Sequence, residues 1–424
     1  MTKDKVTVTR RRVFHIPGYD PIHPRRYREL YRSEGAAQSK TSGYQIAVQA
    51  GSRDESFHWW AQAQIDGQSV DARIDVLVWS DIVRDSMAHS IPATYRQLIQ
   101  TAWIYISTGT LRRLMWMRKG PVIAALYPVG VLLLQLLIAL QLGWGLGRLA
   151  EAALNGAVSG VGLGGGLFAA IIGWLAWAVK LGILGAVSVF LLRWFKKHDN
   201  RIFAHYLMHD YAFSAQYRGA TPPELSARLA GFADQISEAL EDECEEVLIV
   251  GHSSGAHLAV HVIADLIRDG RVPAEGPALA FMSLGQVVPM VSFLPEAKQL
   301  RADLAFLATR EDLTWVDVTA PGDGCCFALC DPVAVTGVTP PGKHWPLVIS
   351  AAFTQTLSAA RWKKLRWRFF RLHFQYLCAF DHPKDYDYFQ ITAGPLTLAD
   401  RFRGRAPSKS RIDVPMSKYT SLAP

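Results

Sequence analysis

The chain has 424 residues, half of them hydrophobic, and a formal net charge of +8 at pH 7. That is too long for one small domain and long enough for a large core with an insertion. The basic residues gather beside an apolar stretch and in the C-terminal third, which points to anionic lipid rather than nucleic acid, and the sequence contains no nucleic-acid-binding module.

In chain order, Met1 to Arg12 is polar and lacks the apolar core and cleavage site of a signal peptide. Arg12 to Asp20 reads as a short β-prone run that ends in a turn. Polar, helix-compatible sequence follows, and then a second apolar run from Ile74 to Trp79. Asp81, or Ser80 in its place, is expected to cap a helix after that run. Residues 1–119 form the N-terminal part of a soluble α/β domain.

Residues 120–193 read as a transmembrane hairpin. Pro121 to Gly147 carries no charge, and roughly 20 apolar residues are enough to cross the hydrocarbon core. A second uncharged run extends from Ala152 to Val179 and resumes after Lys180, placing the second span near Leu167 to Phe190. Asn155 to Gly166 is glycine-rich and is expected to be the link. Lys180 is expected to snorkel or to sit at an interface, the alternative being a polar contact within the helix pair. Arg112, Arg113, Arg118 and Lys119 precede the hairpin, and Arg193, Lys196, Lys197 and Arg201 follow it. Only Arg148 and Glu151 charge the link. Cytoplasmic flanks retain Lys and Arg, so both termini and the soluble domain are expected in the cytoplasm, on the inner membrane in a bacterium. Trp116, Trp144 and Trp194 lie near the expected interfaces. The odd number of cysteines (Cys244, Cys325, Cys326, Cys330 and Cys378) argues against a disulfide framework and fits a reducing compartment.

Residues 194–400 alternate helical and strand patterns. Pro223 to Glu243 reads as an amphipathic helix. Val247–Val250, Ala278–Leu284, Thr314–Thr319 and Leu347–Ala352 are short, β-rich runs bounded by turn residues. The alternation implies a mostly parallel sheet covered by helices, an α/β fold interrupted by the hairpin. Residues 401–424 form a basic tail that is expected to be flexible.

The most informative stretch is Glu246 to Ala259. An apolar strand runs into Gly251-His252-Ser253-Ser254-Gly255 and then into a small-residue helix start. A serine on so tight a strand-to-helix turn sits in a strained backbone conformation that leaves no room for side chains two positions to either side. The helix N-terminus also favours a developing oxyanion. Ser253 is therefore the candidate nucleophile.

At this turn the chain resembles the α/β-hydrolase superfamily of serine esterases and lipases, over about Val13–Trp79 and Asp199–Gly394. The resemblance implies that the Ser254 amide is one oxyanion donor. The second donor in the family comes from the turn after an early strand, here His15 to Tyr19. Pro17 has no N–H, which leaves Gly18 or Tyr19. His252 is expected to be structural. The family order of serine, acid, histidine places the acid at Asp323, with Asp331 as runner-up and Asp317 inside a strand. It places the base at His373, ahead of His344 and His382.

His257 and His261 are four residues apart on a helix, as two metal ligands could be, but are expected to be structural. The cysteines near Asp323 lack zinc-site spacing and are expected to be packing residues. No metal or organic cofactor is implied. The expected function is hydrolysis of carboxylic esters, lipid esters among them, through an acyl-enzyme on Ser253. The alternatives are an acyltransferase using the same serine and a catalytically silent membrane adaptor. Oligomeric state is not legible. The segment Arg361 to Arg371, with six cations and four aromatics, is expected to meet anionic membrane lipid.

Overall fold

The computed structural model describes residues 6–52, 55–87, 90–160, 166–199 and 203–423. Arg201 and positions 161–165 of the expected link therefore lie outside the described residues. The chain divides into two compact units, one of 1–86, 102–124 and 213–424, the other of 87–101 and 125–212.

The first unit is built on a sheet. Its strands are β1 Arg10–Ile16, β2 Gln45–Ala50, β3 His58–Ile65, β4 Gln68–Val76, β5 Glu246–His252, β6 Ala278–Leu284, β7 Thr314–Thr319 and β8 Leu347–Ser350. Among the described residues they form one eight-stranded sheet in the order β2-β3-β4-β1-β5-β6-β7-β8. From β4 through β8 every neighbouring pair is parallel, while β2–β3 and β3–β4 are antiparallel. Parallel strands are covered on both faces and so read as continuous apolar runs, which is why β5 is buried along its whole length. One face packs Val13, Val250, Met282 and Val318 against Tyr31, Trp59 and Phe389 in a single cluster. Each fully buried side chain of that kind contributes about 1.5–3 kcal/mol.

Part of the stretch expected to be helical is helix α1, Arg25–Ser42. The rest is the β2–β3–β4 meander. Ile65 pairs with Gln68 across Asp66 and Gly67, whose φ values of 54° and 76° are those of a two-residue hairpin turn. Helix α2, Ser80–Ser86, follows β4. Asp81 lies inside its first turn, where two hydrogen bonds from Arg228, at 2.8 and 2.6 Å, hold its carboxylate.

Helices α3 Ile91–Ser107, α4 Thr110–Met117, α5 Lys119–Gly160, α6 Gly166–Lys197 and α7 Ala204–Gln216 lie between α2 and the amphipathic helix α8, Pro223–Leu240. Helix α9, Gly255–Arg268, leaves the end of β5. Shorter helices follow: α10 Val288–Ser292, α11 Lys298–Leu307, α12 Pro332–Thr336, α13 Phe353–Thr356, α14 Ala359–Leu365 and α15 Phe369–His373.

A buried ion pair joins the two central strands at their N-terminal ends. Arg11 Nε donates to Glu246 Oε2 at 2.7 Å, and the guanidinium also bonds the carbonyls of Gly394 and Leu396. The Leu398 amide satisfies the other Glu246 oxygen. Losing one partner of such a pair costs about 3–5 kcal/mol. The tail is not flexible as expected. It is tied to the sheet end by Ser408 N to Val348 O, Ile412 N to Leu329 O and Met416 N to Val335 O, all between 2.7 and 2.9 Å.

In the second unit, α5 and α6 are each long and apolar enough to cross a membrane. Only 28% and 22% of their most apolar windows are buried, unlike a core helix. The two helices run antiparallel in close contact. Ser188 Oγ donates to Ala139 O at 3.2 Å. A Cβ at Gly143 would lie 2.8 Å from Leu184 O, and one at Gly147 would lie 2.7 Å from Lys180 O. Small residues four apart let the backbones approach.

This packing bears on three expectations. Helix α5 is continuous for 42 residues, so Asn155–Ser159 is helical rather than a link. Lys180 makes the polar contact within the helix pair that was the alternative to snorkelling, its Nζ lying 3.0 Å from Glu151 Oε2 and over the Trp144 ring at 4.1 Å. Trp144 is accordingly a partner of Lys180. Finally, the first part of α5 is not a bare span. Leu132 packs there with Leu98 of α3 and with Ala204, Met208 and Ala212 of α7.

Gly143→Leu and Gly147→Leu are expected to force the helix pair apart and lower its stability by about 1–3 kcal/mol. Gly145→Leu, which faces open space, should be tolerated. Denaturation of the full chain in mild detergent checks this, and equal effects of all three substitutions would contradict the register.

Candidate active site

β5 delivers Ser253 at the centre of the sheet. Its φ of 57° lies in the left-handed region, which costs a non-glycine residue about 1–2 kcal/mol. Neighbours hold it there. The Ser253 amide donates to Leu284 O at the end of β6 at 2.9 Å, and Ala256 N donates to Ser253 O at 3.1 Å. A Cβ at Gly251 would lie 2.7 Å from Ala256 Cα, and one at Gly255 only 2.0 Å from Ile16 O. Both glycines are required, as the sequence implied. Ser253 is half-buried, and Ser254 is the N-cap residue of the 14-residue helix α9.

The loop after β1 lies over this turn. A Cβ at Gly18 would be 2.9 Å from Ser253 Cβ and 3.4 Å from Ser253 Oγ, so the Gly18 backbone runs directly beside the candidate nucleophile. The loop is pinned by Trp79 Nε1, which donates to Pro17 O at 2.9 Å. The Tyr19 side chain is buried against Trp79 and Phe213, with its hydroxyl 2.7 Å from Ser86 Oγ. Of the two alternatives for the second donor, Gly18 is the residue brought against Ser253.

The acid and base candidates meet. His373 Nδ1 lies 2.7 Å from Asp323 Oδ2, although 50 residues separate them in sequence. Asp323 is on the loop after β7 and His373 ends α15. Burial works against ionising Asp323, but His373 and the hydrogen bond from Cys325 N more than offset it and hold the carboxyl below its ordinary range. An ionised acceptor fixes the His373 proton on Nδ1 and leaves Nε2 as the basic nitrogen.

Three supports for this pair were not legible in the sequence. Tyr376 donates to Asp323 Oδ2 at 3.1 Å and accepts from Ala320 N at 2.9 Å. Gly285, at φ 53°, makes room at the end of β6, because a Cβ there would lie 2.6 Å from Tyr376 and 3.1 Å from His373 Cε1. His252, expected only to be structural, carries the backbone of the base: its Nε2 donates to His373 O at 3.0 Å, and the two rings lie 4.9 Å apart. Burial holds His252 well below the usual histidine range, so it stays neutral. The signal available was spacing. Tyr376 is one helical turn beyond His373, and Gly285 directly follows a strand.

The runners-up lie elsewhere. Asp331 caps α12, accepting from Val333 N and Ala334 N, and pairs with Lys343. His344 is exposed before β8, at the opposite end of the strands from Ser253, and His382 is exposed. Asp317 is buried within β7 and accepts from Ser283 Oγ at 2.6 Å. His261 has a carboxylate partner that the sequence did not suggest, since its Nδ1 lies 2.6 Å from Asp303, which also binds Arg268. Burial lowers His257 to about 3. None of the five cysteines is in a disulfide, and Cys326 and Cys330 are buried packing residues. Cys325 is different. Its sulfur and the donor atoms of Asp323 and His373 lie within 4.8 Å of one another. Two of those three groups already share a short hydrogen bond.

No protein-family model, curated protein or solved structure matches this chain. The site's chemistry therefore rests on its own geometry.

Burial raises Asp317 from 3.8 to about 8, against the Ser283 hydrogen bond. The native state then holds a proton that the unfolded chain releases, so this group lowers stability progressively as pH rises from about 4 to about 8. Asp317→Asn removes that dependence. Melting of variant and parent across this range should shift in favour of the variant as pH rises, and a pH-independent difference would contradict the assignment.

Proposed function

We propose that the chain is a membrane-anchored serine hydrolase of the α/β-hydrolase type that cleaves carboxylic esters, with lipid esters among its substrates. The observation that carries this reading is the His373–Asp323 pair. It follows in chain order a serine held at positive φ between a strand and a helix N-terminus. The mostly parallel eight-stranded sheet is compatible with the fold, and the two long apolar helices are compatible with the anchor.

In this mechanism Ser253 Oγ attacks the ester carbonyl carbon and its proton passes to His373 Nε2. The oxyanion is received by the Ser254 amide and the Gly18 backbone, supplemented by the α9 N-terminus. As the tetrahedral intermediate collapses, the carbon–oxygen bond to the alcohol breaks and His373 returns the proton to the leaving oxygen. Water then gives a proton to the same nitrogen and attacks the acyl-enzyme, the carbon–oxygen bond to Ser253 Oγ breaks, His373 returns the proton to Oγ, and the acid is released. Asp323 orients His373 and stabilises its cation without taking the proton. Both termini and the catalytic unit face the cytoplasm in this reading, as the Lys and Arg flanks of the hairpin favour.

A fluorophosphonate probe is expected to label the full chain, and Ser253→Ala to abolish labelling and ester hydrolysis. His373→Ala should lower kcat on the order of ten thousandfold, and Asp323→Asn on the order of a thousandfold. His344→Ala and Asp331→Asn should leave kcat within about twofold, with circular dichroism confirming each fold. Equal labelling of Ser253→Ala, or loss of activity in His344→Ala alone, would contradict the reading.

A further inference from the structure

The loop that carries the acid is clasped on both sides. A Cβ at Gly120, in the first turn of α5, would lie 3.5 Å from Gly324 Cα. A Cβ at Gly324 would lie 3.2 Å from Phe369 Cδ1. Phe369 opens α15, the five-residue helix that ends in His373. The start of the apolar helix, the acid loop and the base are thus in one chain of contacts.

The side chains that neighbour these contacts in sequence are unusual for a water-facing wall. Trp116 is 64% exposed, Trp367 72% and Phe369 43%. Helix α3, leading into the same region of sequence, leaves Ile99, Trp103 and Ile106 exposed at 67%, 71% and 62%, a stripe at helical spacing. Scattered exposed apolar residues are ordinary, whereas large aromatics set among cations mark an interaction surface. Arg112 lies over the Trp116 ring at 4.9 Å and Arg366 over the Trp367 ring at 5.5 Å. Lys119, Lys363 and Lys364 are also exposed. Among the described residues none of these five cations has a carboxylate within ion-pair distance, whereas Arg361, a few residues away, pairs with Glu34 and Asp381.

Resting on the hydrolase reading, we propose that this rim docks on the anionic leaflet of the bilayer that holds the apolar helices, and that the substrate is a lipid ester drawn from that leaflet. Charge selects the occupant. Unpaired cations interleaved with indoles suit the headgroup region, where aromatics sit at the boundary and cations meet anionic lipid. Continuity selects it too, because Lys119 and Gly120 begin the helix long enough to enter that bilayer. The expected lipid-facing role of Arg361 to Arg371 is narrowed by the structure. Trp362 and Leu365 pack on the core and Arg361 is paired, which leaves Lys363, Lys364 and Arg366 to Phe369 for the membrane.

The test uses the full chain in neutral phosphatidylcholine vesicles and in vesicles with a third phosphatidylglycerol. A fluorogenic ester on a lipid anchor is compared with a short soluble acetate ester. The lipid-borne ester should be cleaved about tenfold faster in anionic vesicles at low salt, and high salt should remove the difference. Lys363→Gln, Lys364→Gln and Arg366→Gln combined should also remove it, while changing soluble-ester hydrolysis less than about twofold. Independently of activity, a spin label on Trp367→Cys, corrected for label on native thiols, should be accessible to oxygen and shielded from a water-soluble relaxant. A water-accessible label, or equal lipid-borne rates in both vesicles with soluble activity intact, would overturn the docking proposal and leave the rim to a protein partner. Loss of both ester activities with the label still shielded would instead count against the hydrolase reading.

Discussion

The first unit depends on a passage too narrow for a side chain. Where β5 turns into α9, a Cβ at Gly255 would come within 2.0 Å of the Ile16 carbonyl, and one at Gly18 within 2.9 Å of Ser253 Cβ. These glycines come from regions of the chain more than two hundred residues apart. They can meet only because β1 and β5 are parallel neighbours, with Ile16 level with Gly251. The same strand pair is fastened at its other end by Arg11 and Glu246. The register that builds the core thereby builds the nucleophile turn, and a one-residue slip would move every side chain to the wrong face.

The second half of the site is arranged by electrostatics. A buried carboxylate is costly unless it is paired and hydrogen-bonded. Asp323 receives bonds from His373, Tyr376 and the Cys325 amide, so it remains ionised beneath the ring it orients. His252 stays neutral and fixes the His373 backbone. The backbone strain at Ser253, about 1–2 kcal/mol, is small beside the burial of the strands that enforce it.

Much of this was legible in the sequence. β6 and β7 have the bounds expected from their apolar runs, and β5 and β8 differ by a few residues at their ends. These strands are buried on both faces, so composition alone marks them. Of the β2–β3–β4 meander only the end of β4, Ile74–Val76, was read; the rest was missed because its outer faces are polar and many of its inner positions are alanine, such as Ala61, Ala63 and Ala72. Only the Asp66-Gly67 turn announced it. Asp323 and His373 could be ranked from chain order, but their partners could not. Tyr376, Gly285 and Asp303 act through contacts that span tens of residues and leave no local pattern. The Lys180–Glu151 pair was hidden for the same reason, since it depends on how two helices align and not on the composition of either.

One structural unit holds the Asp323–His373 pair, and the turn beside Asp323 touches the first residues of a helix long and apolar enough to cross a membrane. This ties the choice of nucleophile to everything else in the account, because a thiol, Cys325, also lies within reach of the pair. The most direct measurement is to acid-quench the enzyme during turnover of a slow aryl ester and weigh the peptides that carry each residue. The account predicts an acyl increment on the peptide containing Ser253 that disappears in Ser253→Ala. Turnover with Ser253 unmodified and the acyl group on Cys325 would contradict it.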